Sequence, residues 1–185
     1  MRVLADETRL SELVDALAES IHRDMLRAGE RTDWALVGIR SRGDVLARRL
    51  AERVHVDQVG VLDITLYRDD LSEVGSQPIV RTTDIPFGID GRQIVLVDDV
   101  LMTGRSVRAA LQSLMDLGRP RRVWLSILVD RGGRELPIQP DHVGLNLSSG
   151  TQDALNEQES VDVFLEPTDA RDEIVVRSLS EQAPA

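Results

Sequence analysis

The segment Ile94-Val95-Leu96-Val97-Asp98-Asp99-Val100-Leu101-Met102-Thr103-Gly104-Arg105-Ser106 constrains this chain more than any other. A run of apolar residues bounded by turn-formers reads as a buried strand of a parallel sheet. Such a sheet carries helices on its faces and takes ligands at the carboxyl ends of its strands. Asp98 and Asp99 stand at such an end. Thr103 to Ser106 then opens a helix over Val107 to Leu117, which stops at Gly118 and Pro120. Free backbone N–H groups and the positive end of the helix dipole make the opening loop an anion site. Acids beside an anion site are reconciled when one ligand carries both a diol and a phosphate, as a phosphorylated ribose does.

The rest of the chain supplies the sheet and its cover. Leu10, Leu13, Val14, Leu17, Ile21, Met25 and Leu26 recur at helical spacing before Gly29. Trp34 to Ile39 reads as a strand, Asp44 to Arg53 as a helix with Val45, Leu46 and Leu50 inward, and Val59 to Tyr67 as a strand. Leu71 to Pro78 is polar and contains glycine, the composition of a mobile loop or hairpin. Val123 to Val129 forms the next strand, and shorter ones follow near 142–147, 161–165 and 173–177. Strands alternating with helices predict a mainly parallel α/β sheet with right-handed crossovers. With no repeat and no internal linker, residues 1–179 read as one domain and 180–185 as a frayed tail.

Composition removes several kinds of chemistry. Cysteine is absent, which excludes disulfides, thiolate nucleophiles and cysteine-ligated metals. All 22 basic residues are arginine, which excludes a Schiff-base lysine and a Walker lysine. Phosphate binding is left to planar, permanently charged forks. No stretch has the length of a membrane span and no signal-peptide pattern opens the chain, so a cytoplasmic location is expected. His22, His55 and His142 are scattered, with neither triad nor metal-ligand spacing.

A second anion site is written in Gly38-Ile39-Arg40-Ser41-Arg42-Gly43-Asp44, where a strand ends, two arginines flank a serine, and a helix begins after a glycine. Exposed N–H groups and guanidinium forks suit a diphosphate.

On these residues the segment around Asp98-Asp99 resembles the phosphoribosyl-diphosphate (PRPP) motif of type I phosphoribosyltransferases. Further strings narrow the resemblance. Leu62-Asp63-Ile64-Thr65-Leu66-Tyr67-Arg68-Asp69-Asp70-Leu71, Gly118-Arg119-Pro120, Leu128-Val129-Asp130-Arg131-Gly132 and Arg134-Glu135-Leu136-Pro137-Ile138 look like the family of bifunctional pyrimidine-operon regulators that are also uracil phosphoribosyltransferases. The resemblance implies the type I phosphoribosyltransferase fold, a parallel sheet flanked by helices under a small hood of loops and strands. It implies formation of UMP and diphosphate from uracil and PRPP with Mg²⁺, in a homo-oligomer, either dimer or tetramer. It assigns Asp98, Asp99 and Arg68 to catalysis, with the two acids holding ribose hydroxyls and metal. PRPP falls to Asp98, Asp99, Val100, Leu101, Met102, Thr103, Gly104, Arg105 and Ser106, and the diphosphate to Ser41, Arg42, Gly43 and Arg68. Uracil is placed near Val129, Asp130 and Arg131, with backbone groups reading its edge and Arg131 lining the pocket; Asp130 alternatively caps Arg131 or Arg134. Met102 stands where purine-specific relatives place an acid that handles a base proton, and methionine cannot transfer one.

The same resemblance offers a leader mRNA as a partner, through His22 and Arg134. Glu19, Gly133, Gln139 and Leu145, however, stand where RNA-binding members tend to show arginine, histidine, arginine and lysine. The chain has a formal charge of −10, and residues 6–28 hold six acids against three arginines. Nucleic-acid affinity is dominated by phosphate neutralisation, so weak RNA binding is expected. The polar run Ser148 to Ser160 is longer than the usual connection. An RNA-binding attenuator with little catalysis and a type I transferase for another base are the alternative readings.

Overall fold

A computed structural model describes residues 1–28, 33–65, 83–148, 150–151, 154–156 and 158–178. Five strands form a wholly parallel sheet: β2 (Trp34–Ile39), β3 (Val59–Leu62), β4 (Gln93–Leu101), β5 (Arg122–Asp130) and β6 (His142–Asn146), in the order β3-β2-β4-β5-β6. Helices α1 (Glu7–Ala28) and α2 (Gly43–Val54) cover one face and α3 (Arg105–Leu117) the other. Alternation along the strands divides the core. Leu36, Val95 and Val97 join Leu10, Leu17, Ile21, Leu46 and Leu50, whereas Ala35, Val37, Ile94 and Leu96 join Val107, Ala110 and Leu114. Both faces are dry, which is why these strands read as continuous apolar runs and not as alternation.

A small antiparallel sheet stands apart from the five strands. β1 (Arg2–Ala5), β8 (Glu173–Ser178) and β7 (Glu159–Phe164) pair in the order β1-β8-β7. The expected hood is therefore real, but it recruits the N-terminus. A four-residue run is too short to show a period, so β1 has no local signal; its pairing with β8 creates it. Two other expectations shift. Leu26 is 59% exposed, because the inward stripe of α1 ends on Met25 and the next residue is rotated by about 100°. β3 ends at Leu62, short of the expected Tyr67. There the Asp63 carboxylate accepts hydrogen bonds from both the N–H and the hydroxyl of Thr65, a local turn that competes with the ladder. Leu66, Tyr67, the 71–78 segment and the 180–185 tail lie outside the described residues.

Strand order fixes where a ligand can sit. The chain passes from β2 to β3 on one side and returns to β4 on the other, so the sheet reverses direction between β2 and β4. Diverging loops at such a reversal leave a crevice beyond the carboxyl ends of the strands.

Candidate active site

The acid pair does not follow β4; it lies inside it. β4 continues through Asp98, Asp99 and Val100 to Leu101 because β5 accompanies it, with Val100 opposite Val129 and Leu101 opposite Asp130. On the other side β2 stops pairing at Gly38 opposite Val97. The acids thus project along an edge that β2 has left, and the loop after β2 turns across their front. A cavity of about 240 Å³ opens there, lined by Ile39, Arg40, Ser41, Arg42, Ile64, Asp98, Asp99, Val100 and Ser106. Ile39 and Arg40 belong to the segment read as the second anion site, whereas Ile64 was not anticipated as a lining residue; it is an ordinary position in sequence that the sheet brings to the cavity.

Close approach depends on a missing side chain. A Cβ on Gly43 would lie 2.6 Å from the Val97 carbonyl oxygen and 3.2 Å from the Asp98 Cα, so only glycine lets α2 begin directly on the acid strand. The helix is entered through Arg42, whose φ of 70° is rare for a residue with a side chain. On the far side Gly104, at φ 89°, turns the chain from β4 into α3. The segment after β5 braces that turn: the Glu135 and Leu136 N–H groups both donate to the Thr103 carbonyl (3.0 and 3.2 Å), and Arg105 Nε donates to Glu135 Oε2 (2.7 Å). Thr103 Oγ1 accepts the Arg105 N–H at 3.3 Å, and Met102 is 46% exposed.

The electrostatics are uneven. Asp98 is 6% exposed; its Oδ1 accepts the Asp99 N–H at 3.0 Å, and Asp99 Oδ1 accepts the Val100 N–H at 2.9 Å. Burial pushes the Asp98 carboxyl well above the ordinary carboxylate range, and the neighbouring Asp99 adds to the shift. Asp99 is also raised by burial, against the opposing pull of the Val100 N–H and the Arg42 guanidinium. A buried carboxylate beside a half-buried one is an arrangement that a neighbouring positive charge favours. The described residues contain no group of three or more metal-ligating side chains. The oxygen-only pair suits a hard cation whose remaining ligands are water and substrate.

The residues expected around the base are placed differently from one another. The Val129 side chain is fully buried in the core, so it offers a pocket only its main chain. Asp130 is a cap: its Oδ1 accepts the Gly132 N–H (2.9 Å) and its Oδ2 accepts Arg134 Nη2 (2.7 Å). Of the two readings of Asp130, the turn acid that holds Arg134 is the observed one. Arg131 is 7% exposed and donates through Nη2 to the carbonyls of Asn156 and Glu159, both at 2.7 Å. None of the three lines the acid cavity. Asp130 lines a separate one of about 380 Å³ with Gly132, Gly133, Arg134, Ile138, Gln139, Asn146 and Ser148. Arg134 also donates to the carbonyls of Ile138 (2.9 Å) and Met102 (3.0 Å), so most of its fork is spent within the fold. Arg68, Asp69 and Asp70 lie outside the described residues.

His22 lines a cleft of about 520 Å³ between α1 and α2 with Asp15, Ala18, Glu19, Arg53 and His55. Arg53 Nε pairs there with Asp15 Oδ1 at 2.6 Å. No described helix is long and apolar enough to cross a membrane.

Known proteins resemble this chain in sequence and fold. Residues 4–162 match the phosphoribosyl transferase domain family. The bifunctional protein PyrR of Pelotomaculum thermopropionicum is 49% identical over 171 residues, covering 90% of this chain and 91% of the relative. The PyrR of Thermus thermophilus is 48% identical over 180 residues, covering 94% and 96%. Among solved structures, a hypoxanthine phosphoribosyltransferase from Trypanosoma cruzi in complex with its substrates superposes with a TM-score of 0.70 at 19% identity, covering 95% of each chain. That likeness speaks for the fold alone. The matched domain, the shared fold and the identity to PyrR across nearly the whole length agree: the chain belongs to the phosphoribosyltransferase family and, within it, to the PyrR proteins.

Proposed function

We propose that this chain is a uracil phosphoribosyltransferase that joins uracil N1 to C1 of PRPP and releases diphosphate. The observation that carries the reading is the acid pair standing in one cavity beside the two turns that open α2 and α3. Asp98 and Asp99 face the ribose hydroxyls. Thr103, Gly104, Arg105 and Ser106 wrap the 5'-phosphate at the N-terminus of α3, while Val100, Leu101 and Met102 form the floor leading to it. Ser41, Arg42 and Gly43 receive the diphosphate, and Arg68 joins them there by the family pattern.

The chemistry follows from charge. As the bond between C1 and the diphosphate oxygen breaks, positive character grows on the ribose ring and negative charge on the departing oxygens. Ring-side carboxylates tolerate the first, and N–H groups with a guanidinium stabilise the second. No side-chain nucleophile is needed. Phosphoribosyltransferases generally use Mg²⁺ with PRPP. Asp98 and Asp99 are the side chains that would hold it, partly through PRPP, and when bound it offsets the charge of both the acids and the diphosphate. Met102 cannot accept the proton that uracil N1 loses, which passes to the departing diphosphate or to water. Uracil sits beyond the end of β5, where the main chain of Val129 and Asp130 and the buried Arg131 shape the wall.

The relatives are bifunctional PyrR proteins, which favours a second role as a pyrimidine-operon regulator acting on leader mRNA through His22 and Arg134. The carboxylates of the α1–α2 cleft and the internal bonding of Arg134 make that RNA binding weak. Residues 1–179 act as one domain, assembled as a dimer or tetramer in the cytoplasm. A panel of nucleobases with PRPP and Mg²⁺ tests the enzyme reading: UMP forms from uracil, and a purine nucleotide formed faster than UMP overturns it.

A further inference from the structure

The diphosphate turn is bolted to the small sheet by two ion pairs made within one loop. Arg42 forks onto Asp169, with Nε to Oδ2 at 2.8 Å and Nη2 to Oδ1 at 3.0 Å. Two helical turns along α2, Arg49 forks onto Asp172, with Nη2 to Oδ1 at 2.9 Å, and also donates to the Glu166 carbonyl at 2.8 Å. Both carboxylates are themselves held by main-chain donors. Asp169 Oδ2 accepts the Leu165 N–H and Asp172 Oδ1 the Glu166 N–H, each at 2.8 Å. The loop between β7 and β8 is therefore a rigid pair of receptors for two arginines of the loop–α2 unit.

Arg42 has little local reason to sit where it does. Its φ is left-handed, its side chain makes no capping bond, and Ser41 before it is exposed. Asp169 lies 127 residues away and supplies the fixed point. The fork takes Nε and Nη2 and leaves Nη1 outside it, and the Arg42 side chain remains 33% exposed beside the cavity. The Arg42 charge is felt at Asp99, so the guanidinium bridges the acid pair and the small sheet. Resting on the reading of this cavity as the PRPP site, we propose that Asp169 is a positioning residue for the reaction: it aims Arg42 at the diphosphate and makes the small sheet part of the diphosphate site. Asp172 does the corresponding work for the body of α2 and does not act on the ligand.

The test compares ligands that carry a diphosphate with one that does not, using the full-length protein. Asp169→Asn keeps a carbonyl oxygen for the Leu165 N–H but loses the charged fork. We expect its Kd for inorganic diphosphate and for PRPP to rise on the order of tenfold, as loss of a charge-assisted bidentate pair allows, with UMP affinity within about twofold of wild type. Asp172→Asn lowers thermal stability without that split. Unchanged or tighter diphosphate binding by Asp169→Asn, or equal weakening towards diphosphate and UMP, overturns the inference. Should Asp169→Asn not fold, Asp169→Glu, which moves the charge by one methylene, is read against the same split. A wild-type protein that binds neither PRPP nor diphosphate would instead refute the proposed function itself, so the two failures are distinguishable.

Discussion

Among the concavities that hold both carboxylates and arginines, the α1–α2 cleft and the cavity at the end of β4 treat them in opposite ways. In the α1–α2 cleft Asp15 is an exposed surface acid that already has its counter-charge in Arg53. At the reversal between β2 and β4, Asp98 and Asp99 are packed side by side and accept hydrogen bonds from the main-chain N–H groups of Asp99 and Val100, and burial raises both carboxyls. The first arrangement is near its own minimum without a ligand. In the second, burial favours the protonated form of both carboxyls, and the Arg42 guanidinium opposes it only at Asp99. Nearby, the arginine that faces the acids is itself held back by Asp169. Burial of paired carboxyls, more than the presence of charge, separates the acid cavity from the α1–α2 cleft.

That comparison can be broken first at the acids. Asp98→Asn with Asp99→Asn should lower UMP synthesis by at least roughly 10³-fold, the scale seen when preorganised electrostatic partners are removed, while the folded protein becomes more heat-stable. Steady-state rates and a melting curve on the same preparation check both halves. Near-wild-type turnover in a folded double variant would remove the pair from the mechanism.

The phosphate turn comes next in size. Gly104 sits at positive φ, and a Cβ there would lie 3.3 Å from Ile138 Cδ1. Gly104→Val should therefore raise the apparent KM for PRPP by roughly 10- to 100-fold, through strain and blocked approach. Thr103→Val should raise it by a smaller factor, about that of one lost hydrogen bond. Titration calorimetry showing wild-type PRPP affinity in both variants would place the phosphate elsewhere.

The acid pair also predicts a pH signature. The folded-state pKa of Asp98 is raised, so the folded protein binds this proton more tightly than the unfolded chain does, and ionisation at neutral pH costs stability. Asp98→Asn should accordingly exceed wild type in Tm at neutral pH, by about 2–4 °C for each kcal/mol relieved. The gap should close as pH falls through the raised pKa. Asp169 behaves oppositely: the Arg42 hydrogen bond lowers its pKa, so its contribution is present at neutral pH and lost as pH falls below the ordinary carboxylate range. A gap between Asp98→Asn and wild type that widens on acidification would reverse the assignment of strain.

The passive cleft should answer most weakly. RNA binding at physiological salt is expected near the nonspecific range of roughly 10⁻⁴–10⁻⁶ M. Glu19→Arg, a change on an exposed position, should tighten it by about tenfold at most. Filter binding with the cognate leader RNA and UMP present reads this, and sub-micromolar, sequence-selective binding by wild type would show the cleft to be a working surface. Asp15→Asn should alter stability by less than about 1 kcal/mol, the usual worth of an exposed ion pair.

Much of this molecule was legible before folding. Apolar runs and helical periods located β2, β3, β4 and β5 and all three described helices, because burial on both faces leaves a continuous hydrophobic trace; β6, at the sheet edge, was placed only as a short strand. The acids, the Thr103–Ser106 turn and the Ser41–Gly43 turn were visible for a similar reason: strand-to-helix turns with free N–H groups are local in sequence. What the sequence determined, then, is wherever the physics acts between near neighbours: strand, turn, helix, and the charges carried on each. Only the tertiary structure decided that β1 exists, that β4 carries its acids past the end of β2, that Asp130 holds Arg134, and that Asp169 holds Arg42. Ladder register and distant ion pairs depend on which parts of the chain are brought together, and a carboxylate 127 residues from its guanidinium leaves no pattern that either residue's neighbours could reveal.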